Sequence, residues 1–127
     1  DSATAGFTKG APWLRPTNQG MINVAHELAS GEIFNYYQQL IKLRKMMPIV
    51  ADGDYQSWRL DDPQVFGYWR TYQQQKLLVL NNFYGKSTTV TLPEEMVGAQ
   101  VLLSNYKNVD VTLHMTLQPY QSVAFLK

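Results

Sequence analysis

The chain has 127 residues, 45% of them apolar and 13% aromatic, with 11 Lys and Arg against 10 Asp and Glu and no cysteine. That length fits one domain with a real hydrophobic core and excludes a disordered polymer, while a balanced charge without a run of five like charges excludes an electrostatic footprint for nucleic acid or anionic lipid. The lack of cysteine excludes a disulfide framework, a thiolate nucleophile and a zinc knuckle and fits a cytoplasmic location, and no apolar run reaches membrane-spanning length.

Residues 1–30 read as loop. In AGFTKGAPWLRP, Ala5 to Pro16, neither alternation nor a three-to-four spacing connects Phe7, Trp13 and Leu14, and Gly6, Gly10, Pro12 and Pro16 interrupt any backbone ladder. A loop that carries Phe and Trp stays ordered only where another surface supplies the pocket. The stretch from Ile22 to Leu28 hints at no more than a short turn. Opening on Asp1, without an initiator Met or a signal-type apolar region, the chain is expected to be a piece of a longer protein.

Residues 31–47 predict a helix. Ser30 suits an N-cap, Glu32 the positive end of the helix dipole, and Pro48 forbids continuation. Ile33, Phe34, Tyr37, Leu40 and Ile41 form one apolar stripe, and Tyr36, Leu40, Leu43 and Met47 a second, rotated around the axis. Two adjoining stripes predict contact with two different bodies, of which the strands that follow supply one and a missing body the other.

Residues 48–127 predict antiparallel β structure, with turn signals every eight to twelve residues. The expected strands are Tyr55 to Leu60, Gln64 to Thr71, Lys76 to Asn82, Ser87 to Pro93, Gln100 to Tyr106, Val109 to Leu117 and Ser122 to Lys127. Seven short strands make a small sandwich or Greek-key barrel, mainly β, behind one amphipathic helix and an irregular amino-terminal loop.

Few residues invite a chemical role. Asp61 and Asp62 form a close acid pair, but adjacent acids before Pro63 suit a turn with side chain to backbone bonds better than two carboxylates across a cleft. Asp52 and Asp54 around Gly53 lack the later ligands of a calcium loop. His26 and His114 have no second ligand at coordinating spacing, and Ser104 has no Gly-rich elbow, so no metal, cofactor or catalytic triad is expected. Trp58, Tyr68, Trp69 and Tyr72 offer flat rings of the kind that stack on sugars, although strand alternation lets just one of Tyr68 and Trp69 face the core.

The order of motifs, rather than any one of them, carries a resemblance. GFTKGAPW at Gly6 to Trp13, IFNYYQQLIKLRK at Ile33 to Lys45, DDPQVFGYWR at Asp61 to Arg70, the KLLVLNN strand and LLSNY at Leu102 to Tyr106 resemble the carboxy-terminal end of an α-amylase-family α-glucosidase, in the branch of oligo-1,6-glucosidases, dextran glucosidases and trehalose-6-phosphate hydrolases. The resemblance implies a (β/α)8 barrel upstream, with residues 1–30 following its eighth strand, residues 31–47 as its last helix and residues 48–127 as the antiparallel domain C. It implies that Ile33, Phe34, Tyr37, Leu40 and Ile41 face the missing barrel, and that Phe7 and Trp13 sit near the rim of a carbohydrate site. It further implies retaining hydrolysis by Asp and Glu residues upstream of Asp1, so that this chain contributes no catalytic residue. The alternatives are a stand-alone carbohydrate-binding module, marked by several exposed aromatics in a plane, and an oligomerisation module in which a second copy covers the helix face.

Overall fold

The computed structural model describes residues 4, 6, 8–14, 17–59 and 61–127. They divide into two compact units, 1–42 and 43–127.

In the first unit, helix α1 (Val24–Ser30) stands where the sequence suggests a short turn. Its start is fixed by Asn23, whose side-chain oxygen accepts from the His26 N–H at 2.9 Å, an N-cap that supplies one of the donors a helix start leaves orphaned. Because α1 runs through Ser30, that residue does not cap the next helix; its hydroxyl donates to the His26 carbonyl at 3.3 Å. Gly31 ends α1 with its N–H on the Glu27 carbonyl and opens the next helix by accepting from Asn35 N–H at 3.1 Å. A Cβ at Gly31 would lie 2.6 Å from the Glu27 Cα, which explains why glycine holds this junction.

Helix α2 (Glu32–Met46) passes through the boundary between the units. Glu32 in its first turn and Arg44 and Lys45 in its last complement the helix dipole. Pro48 stops it as expected, and also starts a further short helix, α3 (Pro48–Ala51), with the ring at the first helical position, where its missing N–H costs nothing.

The second unit is a small sandwich of antiparallel sheets. Strands β1 (Asp54–Trp58), β2 (Val65–Tyr72), β3 (Gln75–Asn82), β7 (Ser122–Leu126) and β5 (Gln100–Ser104) form the larger sheet in the order β1-β2-β3-β7-β5, and β4 (Thr88–Thr91) pairs with β6 (His114–Leu117) in the smaller. The first three strands form a meander, and β7 returns to lie between β3 and β5, a crossover of the Greek-key kind. Period-two burial selects the inner faces: Leu78, Leu80, Val123 and Phe125 from the larger sheet meet Val90, Met115 and Leu117 from the smaller, all nearly or wholly inaccessible. Met96, on a single 3₁₀ turn at Glu94–Met96, closes one end of this core.

The strand expected over Val109 to Leu117 is ordered as β structure over His114–Leu117 alone. Val109 and Val111 still pack on the core, but the Val111 carbonyl accepts from Gly98 N–H at 3.2 Å instead of joining the ladder. Apolar alternation there satisfies packing without pairing.

Candidate functional site

Several of the second unit's motif segments meet in a hydrogen-bonded system around Asn82. That residue is buried between the end of β3 and the turn before β7. Its Nδ2 donates to the Lys86 carbonyl at 2.7 Å and the Gln118 carbonyl at 2.8 Å, and its Oδ1 accepts from Tyr84 N–H at 3.0 Å and Gln64 Nε2 at 3.3 Å. All four hydrogen-bonding positions of the amide are thereby filled. Gln64 also donates to the Lys86 carbonyl at 2.8 Å, and the buried Gln121 accepts from Gln118 N–H at 2.7 Å.

Asp62 of the acid pair belongs to the same corner. Asp62 Oδ1 accepts from Gln64 N–H at 2.9 Å and Val65 N–H at 3.0 Å, and its Oδ2 pairs with Arg59 at 3.2 Å. That is turn chemistry, with the carboxylate spent on starting β2. The Arg59 guanidinium lies 5.5 Å from the centre of the Trp58 ring. At the other end of β2, Arg70 donates to the Ile49 carbonyl at 3.3 Å and the Ala51 carbonyl at 3.1 Å, and so caps α3.

Ser104, Asn105 and Tyr106 bind the turn before β7. The Ser104 hydroxyl accepts from Tyr106 N–H at 3.0 Å, Asn105 accepts from Ser122 N–H at 2.8 Å and donates to the Tyr120 carbonyl at 2.9 Å, and the Tyr106 hydroxyl donates to the Pro119 carbonyl at 2.9 Å. Tyr120, which follows Pro119, holds φ at 54° while Gln121 N–H closes the turn on the Gln118 carbonyl at 3.1 Å, an arrangement that normally takes glycine. Residues that a catalytic reading would single out, Asp62 and Ser104, are thus structural.

The remaining candidates are dispersed. Asp52 ends α3 and Asp54 begins β1. His114 Nδ1 lies 3.2 Å from the Thr91 hydroxyl on the outer face of the smaller sheet. An open cleft of about 660 Å³ is lined by Lys107, Asp110, His114, Thr116 and Gln118 among others, with Asp110 as its one carboxylate. Among the described residues no cluster of three acidic, histidine or cysteine side chains can hold a metal ion, and no helix is long and apolar enough to cross a membrane.

The four aromatics weighed as a sugar platform divide between the two faces of the larger sheet. Trp58 and Trp69 pack against the core, and Gly67 leaves the room Trp58 needs, since a Cβ there would lie 2.5 Å from Trp58 Cε3. Tyr68 and Tyr72 point to the other side. There Tyr68 meets two rings that the sequence does not single out: Tyr55 at 5.6 Å and Phe66 at 5.8 Å, with Phe83 a further 6.3 Å from Phe66. Burial pushes the Tyr68 phenol above its ordinary value, the Arg70 guanidinium draws it partly back, and Tyr55 adds to the rise.

In the first unit, Trp13 is 94% exposed, and Phe7 lies outside the described residues. On α2, Ile33, Tyr37, Leu40 and Ile41 are exposed and Phe34 is half-buried.

Residues 65–124 match the family model described as the alpha-amylase SusG C-terminal domain. The chain is 40% identical over 126 residues to the trehalose-6-phosphate hydrolase of Bacillus subtilis (strain 168), covering 94% of this chain and 22% of that protein. With the oligo-1,6-glucosidase of Halalkalibacterium halodurans the identity is 42% over 127 residues, 95% of this chain and 23% of that one. The crystal structure of the trehalulose synthase MutB from Pseudomonas mesoacidophila MX-45 superposes with a TM-score of 0.82 at 31% identity, over 100% of this chain and 24% of the other. The chain therefore spans less than a quarter of the length of either hydrolase.

Proposed function

The chain belongs to the α-amylase family, as a carboxy-terminal part of that family's enzymes, and from this we propose that it is the stabilising, non-catalytic region of an α-glucosidase-type glycoside hydrolase. The observation that carries the reading is similarity along nearly the entire chain to relatives named as glucoside hydrolases, combined with motif side chains that are spent on internal bonds. Retaining glycoside hydrolysis uses two carboxyl groups about 5–5.5 Å apart on either side of the scissile bond. Here Asp62 is committed to Arg59 and to two backbone N–H groups, and the open cleft has a single acid.

The parent enzyme would cleave α-glucosidic bonds of short or phosphorylated gluco-oligosaccharides in the cytoplasm, with its nucleophile and acid/base on an upstream barrel. Residues 1–30 would follow the eighth barrel strand and residues 31–47 form the last barrel helix, with Ile33, Phe34, Tyr37, Leu40 and Ile41 against the barrel. Residues 48–127 would be domain C, and Phe7 and Trp13 would stand at the rim of the substrate site. The exposure of Ile33, Tyr37 and Trp13 supports a role for these side chains against something outside this chain. The rings exposed on the larger sheet tilt by 32–49° from one neighbour to the next, which favours this reading over a flat sugar-binding platform.

The test is an assay of the 127-residue chain and of the polypeptide extended upstream, on isomaltose and on trehalose-6-phosphate. Activity in the extended polypeptide alone is the expected result; turnover by the 127-residue chain, or none by either, overturns the reading.

A further inference from the structure

The open cleft of about 660 Å³ lies beside the smaller sheet, between two walls that the core holds in place. One wall is β6, where period-two alternation sends Met115 and Leu117 into the core and His114 and Thr116 outward. The other is the segment 106–112, which has neither helix nor strand and is pinned nonetheless. Val109 and Val111 pack on the core, the Val111 carbonyl accepts from Gly98 N–H at 3.2 Å, and the Tyr106 hydroxyl donates to the Pro119 carbonyl at 2.9 Å. Asn108, a residue type that tolerates the left-handed region, holds φ at 57° and turns the chain between these anchors. The cleft is therefore preformed, and its volume falls within the range of about 300–1,000 Å³ typical of small-molecule sites.

Backbone and side chains both leave hydrogen-bonding capacity there. In the smaller sheet β6 has β4 as its one neighbour. Leu92 N–H donates to the Leu113 carbonyl at 2.8 Å at the start of this ladder, so alternation turns the backbone groups of Met115 and Leu117 toward β4 and those of His114 and Thr116 toward the open edge. The Thr112 hydroxyl takes the His114 carbonyl at 3.2 Å, while Thr116 N–H and carbonyl have no place in the ladder. Among the described residues the side chains of Lys107, Asn108, Asp110, Thr116 and Gln118 make no hydrogen bond or ion pair with the protein. Elsewhere in this unit the amides of Asn82, Asn105 and Gln121 are spent on internal bonds.

We propose that this cleft is an accessory binding site for a neutral, short gluco-oligosaccharide, a ligand identity that rests on the function proposed above. A sugar hydroxyl donates and accepts at once, and the amides of Asn108 and Gln118 with the Thr116 hydroxyl offer both roles within one cleft. Lys107 and Asp110 balance each other in charge, so the lining does not select an ion. Tyr106 is 40% exposed with its hydroxyl already committed, which leaves the flat ring to meet a pyranose face. Strand addition by a peptide does not suit the site, because β6 is four residues long and presents the backbone of His114 and Thr116 alone at its open edge. Helix α3, through which the chain enters this unit, is held by Arg70 on the larger sheet and does not cover the cleft. A site of this kind keeps the sugar on the enzyme between turnovers by raising its effective concentration.

The experiment titrates the ¹⁵N-labelled 127-residue chain with isomaltotriose and follows its amide spectrum, beside an Asp110→Ala/Gln118→Ala variant. Saturable shifts confined to residues 106–118 are expected, with affinity lowered at least about tenfold in the variant. Both side chains are exposed, so the variant is expected to keep the rest of its spectrum. Should it lose that spectrum, Thr116→Arg blocks the cleft from an outward position and is expected to abolish the same shifts. No saturation up to about 20 mM sugar overturns the proposal, as do shifts centred on Tyr55 and Tyr68 or an affinity unchanged by these substitutions. Binding of trehalose-6-phosphate without binding of isomaltotriose overturns it too, because the ligand is then an anion. The spectrum does not depend on turnover: shifts in the cleft with an extended polypeptide that hydrolyses nothing overturn the hydrolase reading and leave the site, whereas hydrolysis without shifts overturns the site alone.

Discussion

The Asn82 side chain donates to the Gln118 carbonyl oxygen at 2.8 Å, joining residues 36 positions apart, while Asn82 N–H donates to the Gln121 carbonyl at 2.8 Å. One residue thereby fixes both the end of β3 and the turn that launches β7. Replacing Asn82 by Ala leaves the Lys86 and Gln118 carbonyls, the Tyr84 N–H and the Gln64 amide without this partner. Since an unsatisfied buried group costs about 1–3 kcal/mol, the variant is expected to lose roughly 2–4 kcal/mol. Urea denaturation of the 127-residue chain measures this; a loss below about 1 kcal/mol would mean that water replaces the amide.

Arg70 holds α3 through two donors on one rigid fork. Lys in its place has a point charge that does not reproduce both bonds, so Arg70→Lys and Arg70→Met are expected to behave alike, each costing about 1–2 kcal/mol. Limited proteolysis is expected to cut both variants faster between Met47 and Gly53. Equal protection of wild type and Arg70→Met would show that Ile49 alone anchors the helix.

Gly67 is required by space rather than by backbone angle. A methyl group there would approach Trp58 Cε3 to 2.5 Å and Leu80 Cδ2 to 3.0 Å. Gly67→Ala is therefore expected to push the indole toward solvent at a cost of about 1–3 kcal/mol, seen as a red shift of tryptophan emission as well as a lower melting temperature.

Tyr68 makes stability depend on pH at the alkaline end. Its folded-state pKa is raised, chiefly by burial, so the folded chain holds the phenolic proton to higher pH than the unfolded chain does. The stability linked to that proton is complete below the ordinary phenol pKa of about 10 and is lost as pH rises through the folded value. Tyr68→Phe is expected to flatten the fall in melting temperature above that pH. An identical alkaline profile in the variant would rule this out.

Much of the β region is legible in the sequence because turn residues punctuate it: Pro63 and Pro93 mark strand limits, and Asp62 forms the local turn its position suggests. Alternation correctly separates Tyr68 from Trp69, with the indole on the core. Helix α1 is hidden in a loop-like composition, though Asn23 as a cap is a sign of it. What stays illegible depends on register. Tyr55, Phe66 and Phe83 lie on three different segments, and nothing local brings them together before β1, β2 and β3 are aligned. The same holds for LLSNY and DDPQVFGYWR, whose letters name donors and acceptors but not the distant carbonyls they meet.

Strand β7 is made after the other six strands of its unit, yet it lies between β3 and β5. While a ribosome is still holding Ser122 to Leu126, β5 has no neighbour in the sheet and the inner side of β3 is uncovered. The sandwich therefore cannot close before Ser122–Leu126 is available, and a chain cut ahead of Ser122 meets chaperones and proteases with its core open.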